Sequence, residues 1–216
     1  AQAVHDEHHL PDGTVRPAGD ILATRAALAA EHARADGPDY LFYPAAAADL
    51  VERQRHAARQ LASSARRGHR LLGTIERMLR QRGLPADLRF VAVIESALNP
   101  SAESWAGAQG IWQFMPQTAA DMGLDSLSVR DPVASTAAAA RYLRWLGHEF
   151  DGDWQLALAA YNYGIGRVAR LVREYEEAEG VTPTFWDLHD RLPRETQEYV
   201  PRFIAVAEVL GARGEA

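Results

Sequence analysis

The sequence predicts a mainly α protein, and three observations carry that expectation. Apolar residues recur at spacings of three and four over long stretches. No segment alternates apolar and polar side chains over the ~4 to 8 positions of a half-buried strand, and no Asn-Gly or Asp-Gly hairpin lies between apolar runs. At 47% hydrophobic and 24% charged over 216 residues, the composition is that of an ordinary globular chain with one principal core.

The elements follow in order. Residues 1–20 mix His5, His8, His9, Pro11, Gly13, Pro17 and Gly19 with few apolar side chains and read as an irregular arm. These histidines lie in a Pro- and Gly-broken arm with no helical period around them to hold a metal site, so a solvated tail is expected. Residues 21–35 and 45–65 are Ala- and Arg-rich with helical period, and they are separated by Gly37, Pro38 and the aromatics Tyr40, Phe42 and Tyr43. They read as accessory helices, so residues 1–65 form an N-terminal arm with helices and residues 66–216 the principal domain. That domain opens on Leu71, Leu72, Ile75, Met78 and Leu79 along one helical face, stopped by Gly83 and restarted after Pro85.

A second helix carries Leu88, Val91 and Ala92. A third opens at Asp131-Pro132, an N-cap followed by proline, with Val133, Ala137, Ala140, Leu143 and Phe150 as the stripe expected to bury. Asp153 caps a helix that passes Ala160 and ends near Gly164, another spans about 166–178, and the last runs from Arg194 to Leu210 with a kink expected at Pro201. Between the second and third helices, the glycines from Gly107 to Gly110 mark a short hairpin-like excursion.

Composition removes several function classes. No apolar run approaches the ~18 residues of a membrane-spanning helix, so a soluble chain is expected. The net charge is −6, the pI about 5.8, and the 23 basic residues read as scattered, which argues against a nucleic-acid partner. There is no cysteine, no paired-His helix motif, and His56, His69, His148 and His189 are isolated from one another. No metal site and no cofactor are expected.

The chemistry concentrates around Glu95. It ends the run Phe90-Val91-Ala92-Val93-Ile94 and continues the row Leu88, Val91, Ala92, which places a carboxylate on a buried stripe. Burial without a cation raises a carboxyl pKa and leaves a proton for a leaving-group oxygen near neutral pH, the property of a general acid. The alternative is a structural glutamate paired with Arg89 or Arg141. After Asn99-Pro100, the segment Ser104 to Pro116 can lay backbone amides, Ser104 and Gln113 along a ligand. Within it Trp112, Phe114 and Met115 offer either a stacking surface for a sugar or plain core.

Three blocks then match together: Glu95-Ser96-Ala97, Gly107-Ala108-Gln109-Gly110-Ile111-Trp112-Gln113-Phe114-Met115-Pro116, and Ala160-Tyr161-Asn162-Tyr163-Gly164. In order and spacing they resemble the signature of the soluble-type lytic transglycosylases, whose fold is related to goose-type lysozyme. The tail Phe185-Trp186-Asp187-Leu188 and Leu192 to Pro201 resembles the membrane-bound lytic murein transglycosylase D branch, and the likeness covers roughly residues 66–210. It departs from the wider family at Trp112, Tyr163 and Ile165.

The resemblance implies a lysozyme-like domain acting on peptidoglycan glycan strands, with Glu95 as the sole catalytic carboxylate. It implies Ser104 and Gln113 near the N-acetyl and leaving-group side of the cleaved bond, with Met115, Tyr161, Asn162, Glu195 and Tyr199 lining the groove. It further implies that the N-acetyl group of the muramoyl sugar assists departure and that the sugar's own 6-hydroxyl closes a 1,6-anhydro ring. Two alternatives stay open: a hydrolytic goose-type lysozyme, which would need a second carboxylate such as Glu103 or Glu195 to position water, and a non-catalytic peptidoglycan-binding scaffold. The substrate implies an exported protein of the bacterial periplasm or cell envelope, with peripheral envelope association.

Overall fold

The computed structural model describes residues 38–211, so the N-terminal arm, its histidines and the helix expected over 21–35 lie outside the described residues. Within those bounds the molecule is helical, with isolated bridges at Glu103–Gln109 and Gln109–Phe114 in place of any named strand. The mainly α expectation holds.

Helix α1, Ala48–Arg67, buries Val51, Ala58, Ala62 and Ala65. A stripe made mostly of alanine lets two helix backbones come close, and α1 lies along the last helix, α9 (Arg194–Gly211). Arg55 bonds Glu208 at 2.8 Å and Arg202 bonds Gln54 at 3.1 Å across that seam. Helix α1 runs through to Arg67 as one element, and its stripe is part of the common core. Gly68 then turns the chain into α2, His69–Arg80, which buries Leu72, Ile75 and Leu79. A Cβ on Gly68 would stand 2.4 Å from the Leu98 side chain, so the elbow requires glycine for closeness.

Helix α3, Arg89–Ser96, buries the four consecutive residues Phe90, Val91, Ala92 and Val93. A helix apolar on every side belongs in the centre of a core. It stops because Ala97 and Leu98 both adopt left-handed backbone, at φ 52° and 65°, a geometry that costs a non-glycine residue about 1 to 2 kcal/mol. The loop 99–115 follows, then α4 (Pro116–Asp121), a short helix that the sequence reading did not anticipate.

Helix α5, Pro132–Glu149, starts as expected, with Asp131 accepting from the Ala134 amide. Its buried face differs from the expected one. Val133 is 54% exposed, and Ser135, Thr136, Ala138, Ala139 and Leu146 are buried together with Ala140, Leu143 and Phe150. One reason is polar: the buried indole N–H of Trp112 donates to Thr136 Oγ1 at 3.0 Å and so draws Thr136 into the core, while Val133 sits in the exposed first turn.

Helix α6, Trp154–Tyr163, is capped by Asp153 and ends at Gly164, and α7 covers Ile165–Glu179. Helix α8, Phe185–Leu188, carries a reciprocal cap between Thr184 and Asp187. Pro201 lies inside α9 without ending it. The ends of α3, α6 and α9 and the 99–115 loop meet on one side of the core.

Candidate active site

Glu95 occupies the last turn of α3 and is half-buried. Neither arginine offered as a structural partner reaches it: Arg89 pairs with Asp87 at 3.2 Å, and Arg141 donates to the Met122 carbonyl. The partner is Tyr199 of α9, whose hydroxyl donates to Glu95 Oε1 at 2.6 Å. Burial raises the carboxyl pKa from 4.5 to about 7. The Tyr199 hydrogen bond opposes that rise, the negative charge of Glu195 adds to it, and the positive charge of Arg202 subtracts. The result is a carboxyl group half protonated near neutrality, able to give a proton and take one back.

Tyr199 and Tyr161 both hold their own protons firmly, first through burial and then through the charge of Glu95. They therefore act as hydrogen-bond donors at neutral pH. Tyr161 spends its hydroxyl on the Trp112 carbonyl at 2.7 Å, which pins the loop against α6. Its ring packs on Tyr142, centroids 5.6 Å apart, and Tyr142 in turn meets Phe114 at 6.1 Å.

The loop is built from its small residues upward. Ser104 Oγ accepts from the Ala108 amide at 3.0 Å and closes the tip. Gly110 is indispensable twice over, since its φ is +75° and a Cβ would fall 2.2 Å from the Val129 carbonyl oxygen. Gln113 holds a positive φ of 49° without being glycine. Its side-chain amide donates to the carbonyls of Gly110 and Ala102, at 2.9 and 3.3 Å. Backbone strain of this kind gathers where a structure holds functional groups. Ser96, beside Glu95, bonds the Ile111 carbonyl at 3.0 Å and so locks α3 to the loop.

Trp112 and Phe114 are buried, which assigns them to the core, whereas Met115 is 45% exposed at the loop's end. Asn162 bridges the ends of α6 and α9: its Nδ2 donates to Glu195 at 3.3 Å, and its Oδ1 accepts from Thr196 at 2.7 Å. Thus Glu95 and Tyr199 are in direct contact, Tyr161 and Gln113 brace the loop, Asn162 and Glu195 form a separate pair close enough to bias Glu95, and Ser104 closes the tip. Sequence reasoning passed over Ser96, Thr196 and Arg202; Ser96 stood inside the first motif block, but only the fold brings the other two to the site. Glu103 lies on the rim, 52% exposed and ion-paired with Arg130 at 2.6 Å. A separate concavity of about 550 Å³, lined by Tyr40, Phe42, Trp154, Gln155 and Trp186, sits at the opposite end of α6 from Tyr161. Among the described residues no group of three His, Cys, Asp or Glu side chains could hold a metal ion.

The family model for the transglycosylase SLT domain matches residues 74–181, half of the chain, from within α2 to just past the end of α7. The chain belongs to the transglycosylase SLT family. It is 41% identical over 136 residues to membrane-bound lytic murein transglycosylase D of Escherichia coli K12, a match covering 61% of this chain and 29% of that one. It is also 41% identical over 86 residues to the peptidoglycan transglycosylase gp16 of Escherichia phage T7, covering 38% of this chain and 6% of the phage protein. The chain therefore spans under a third of the length of these relatives. Among solved structures, an inactive glutamate-to-glutamine variant of the lytic transglycosylase Slt from Pseudomonas aeruginosa superposes at a TM-score of 0.56 with 27% identity, covering 67% of this chain and 24% of that one. The lysozyme-like helical fold expected from the motifs is the fold observed.

Proposed function

We propose that this SLT domain is a lytic transglycosylase that cleaves the β-1,4 bond between MurNAc and GlcNAc in peptidoglycan glycan strands, with Glu95 as the single catalytic acid and base. The observation that carries this reading is the carboxyl group of Glu95 at the end of a buried helix, its pKa lifted to about 7 and its orientation set by Tyr199. Protonated Glu95 delivers its proton to the glycosidic oxygen as the bond to the muramoyl C1 breaks, with the sugar's acetamido oxygen assisting from the opposite face. The resulting carboxylate then takes the proton of the muramoyl 6-hydroxyl as that oxygen closes onto C1. No water is consumed, and a 1,6-anhydro end remains.

Gln113, Ser104 and Met115 belong in this reading to the wall that positions the sugar, Tyr161 holds that wall in place, and Asn162 with Glu195 orders the far side. Residues 66–216 form the catalytic unit, and α1 braces it through α9. The names of the relatives support a peptidoglycan substrate, and the membrane-bound one a location at the bacterial cell envelope; a periplasmic site of action is proposed from the substrate alone. Glu103 supports the transglycosylase over a hydrolytic lysozyme, because its carboxylate is half in solvent and committed to Arg130 at 2.6 Å.

The test is digestion of purified peptidoglycan with mass analysis of the released ends. Terminal muramoyl sugars lighter by one water than the reducing form are expected. Products that end only in reducing muramic acid would replace this mechanism with hydrolysis, and intact sacculi would leave a binding scaffold.

A further inference from the structure

The sequence reads as though its basic residues were dispersed, and the fold corrects that at one place. Residues 53–82 hold nine arginines against a single acid, Glu76, so this stretch carries +8 in a chain whose total is −6, and the remainder carries −14. Some of the nine are committed. Arg55 pairs with Glu208, Arg80 pairs with Glu76 at 3.0 Å, and Arg82 donates to the Met78 carbonyl. Arg66, Arg67 and Arg70 are different. They stand within five residues of one another on the elbow between α1 and α2, all three are exposed, and none meets a carboxylate among the described residues. Arg67 donates only to its neighbour Ser64 at 3.0 Å.

Three unpaired guanidinium groups in one turn repel one another, and nothing in the described fold compensates them. Their place in the molecule supplies the reason to keep them. The elbow turns on Gly68, which packs so close to Leu98 that a Cβ there would stand 2.4 Å from the Leu98 side chain and push it aside. Leu98 is three residues from Glu95, a backbone path of at most ~11 Å. The elbow therefore packs against the segment that ends the helix of Glu95, with its three arginines exposed to solvent.

We propose that the α1–α2 elbow is a carboxylate-recognition surface that holds the peptide substituents of the glycan strand through Arg66, Arg67 and Arg70. This rests on the reading of Glu95 as the cleavage site. The peptides borne by muramoyl sugars carry free carboxylates, and the planar guanidinium fork matches a carboxylate in bidentate geometry. An anionic bilayer is the weaker match. A membrane-surface element combines basic residues with large apolar side chains that insert, and the exposed large hydrophobics among the described residues (Trp105, Met115, Leu127, Val133, Trp145) all lie off α1 and α2.

The test reads binding without turnover. In a Glu95→Gln background, binding is measured to intact peptidoglycan sacculi by co-sedimentation and to immobilised glycan strands freed of their peptides by an amidase, for the parent and for the combined Arg66→Gln, Arg67→Gln, Arg70→Gln variant. A control removes the same charge elsewhere through Arg144→Gln, Arg170→Gln and Arg173→Gln, and thermal unfolding checks that each variant folds. The elbow variant should bind peptide-bearing sacculi roughly tenfold more weakly than the control, with the difference shrinking at high salt, and should bind the peptide-free strands as the parent does. Equal loss on sacculi and on peptide-free strands, no loss on either, or a loss no larger than the control's would overturn the proposal. So would a variant defective only in sedimentation with phosphatidylglycerol vesicles. The reading of Glu95 stands or falls separately, on whether the Glu95→Gln parent still cleaves intact sacculi.

Discussion

Two glutamates eight residues apart, Glu95 and Glu103, have the same side chain and opposite circumstances. Glu95 closes a helix whose middle four residues are buried, meets one neutral donor, and keeps its proton to about pH 7. Glu103 stands on a loop, half in water, with Arg130 bonded to it at 2.6 Å. The difference teaches that what prepares a carboxyl group for proton transfer is desolvation by the fold together with the absence of a bonded cation. Chemical identity and nearness in sequence count for little.

The sharpest way to break this comparison is Glu95→Gln, which preserves shape and the acceptor for Tyr199 while removing the transferable proton. Turnover on sacculi should fall by about 10³-fold or more with the fold intact. A variant that kept a tenth of the rate would remove Glu95 from its role. Next come Gln113→Ala and Tyr161→Ala, which release the loop from its own carbonyls or from α6. Each should cost roughly 10- to 1,000-fold in kcat/KM, about 1.4 to 4 kcal/mol of transition-state stabilisation, read by steady-state kinetics on solubilised glycan strands. Unchanged kinetics at both would place the substrate wall elsewhere.

A subtler sharpening uses Tyr199→Phe. The Tyr199 hydrogen bond favours the charged carboxylate, so its loss raises the Glu95 pKa further, and the alkaline limb of the pH–rate profile, where the acid is lost, should move upward by about half a unit or more. A limb that moved downward would contradict the assigned direction. The smallest effect is expected at Glu103→Gln. An exposed ion pair contributes about 0 to 1 kcal/mol, so both activity and melting temperature should stay close to wild type. A collapse of activity there would instead revive Glu103 as the second carboxylate of a hydrolase.

Local patterns made part of this candidate site legible, the carboxylate above all, whereas Tyr161, Asn162, Glu195 and Tyr199 entered only through the family resemblance. The row Leu88, Val91, Ala92, Glu95 needs only helical period to place a carboxylate on the buried face, and Asp131-Pro132 and Asp153 announce helix starts through capping chemistry that involves near neighbours alone. Long-range pairing was hidden. The inward turn of Thr136 answers the indole of Trp112, 24 residues away, so the stripe through Val133 was misassigned. Helix α4 escaped because six residues leave too little periodicity to read. The elbow of arginines was hidden by averaging, since charge counted over the whole chain conceals a local excess that matters only once Gly68 is seen against Leu98.

The raised pKa also carries a stability signature. Below the unfolded-state value near 4.5 Glu95 is protonated in both states and imposes no penalty. As pH rises toward 7 the unfolded chain ionises first, and stability is lost until the folded carboxyl group ionises as well. Glu95→Gln should therefore stabilise the protein above pH 7, by up to about 3 kcal/mol, and have little effect below pH 4. Denaturant unfolding at the two pH values checks the sign.

The central claim is that the fold has made Glu95 an acid that is still half protonated at neutrality. A ¹³C NMR titration of the glutamate carboxyl carbons, with the Glu95 resonance identified by its absence in Glu95→Gln, measures this directly. One resonance, that of Glu95, should titrate with a midpoint at about pH 7. A Glu95 midpoint near the 4.5 of an unperturbed glutamate would contradict it, because such a group would have no proton left to give at the pH where the wall is cut.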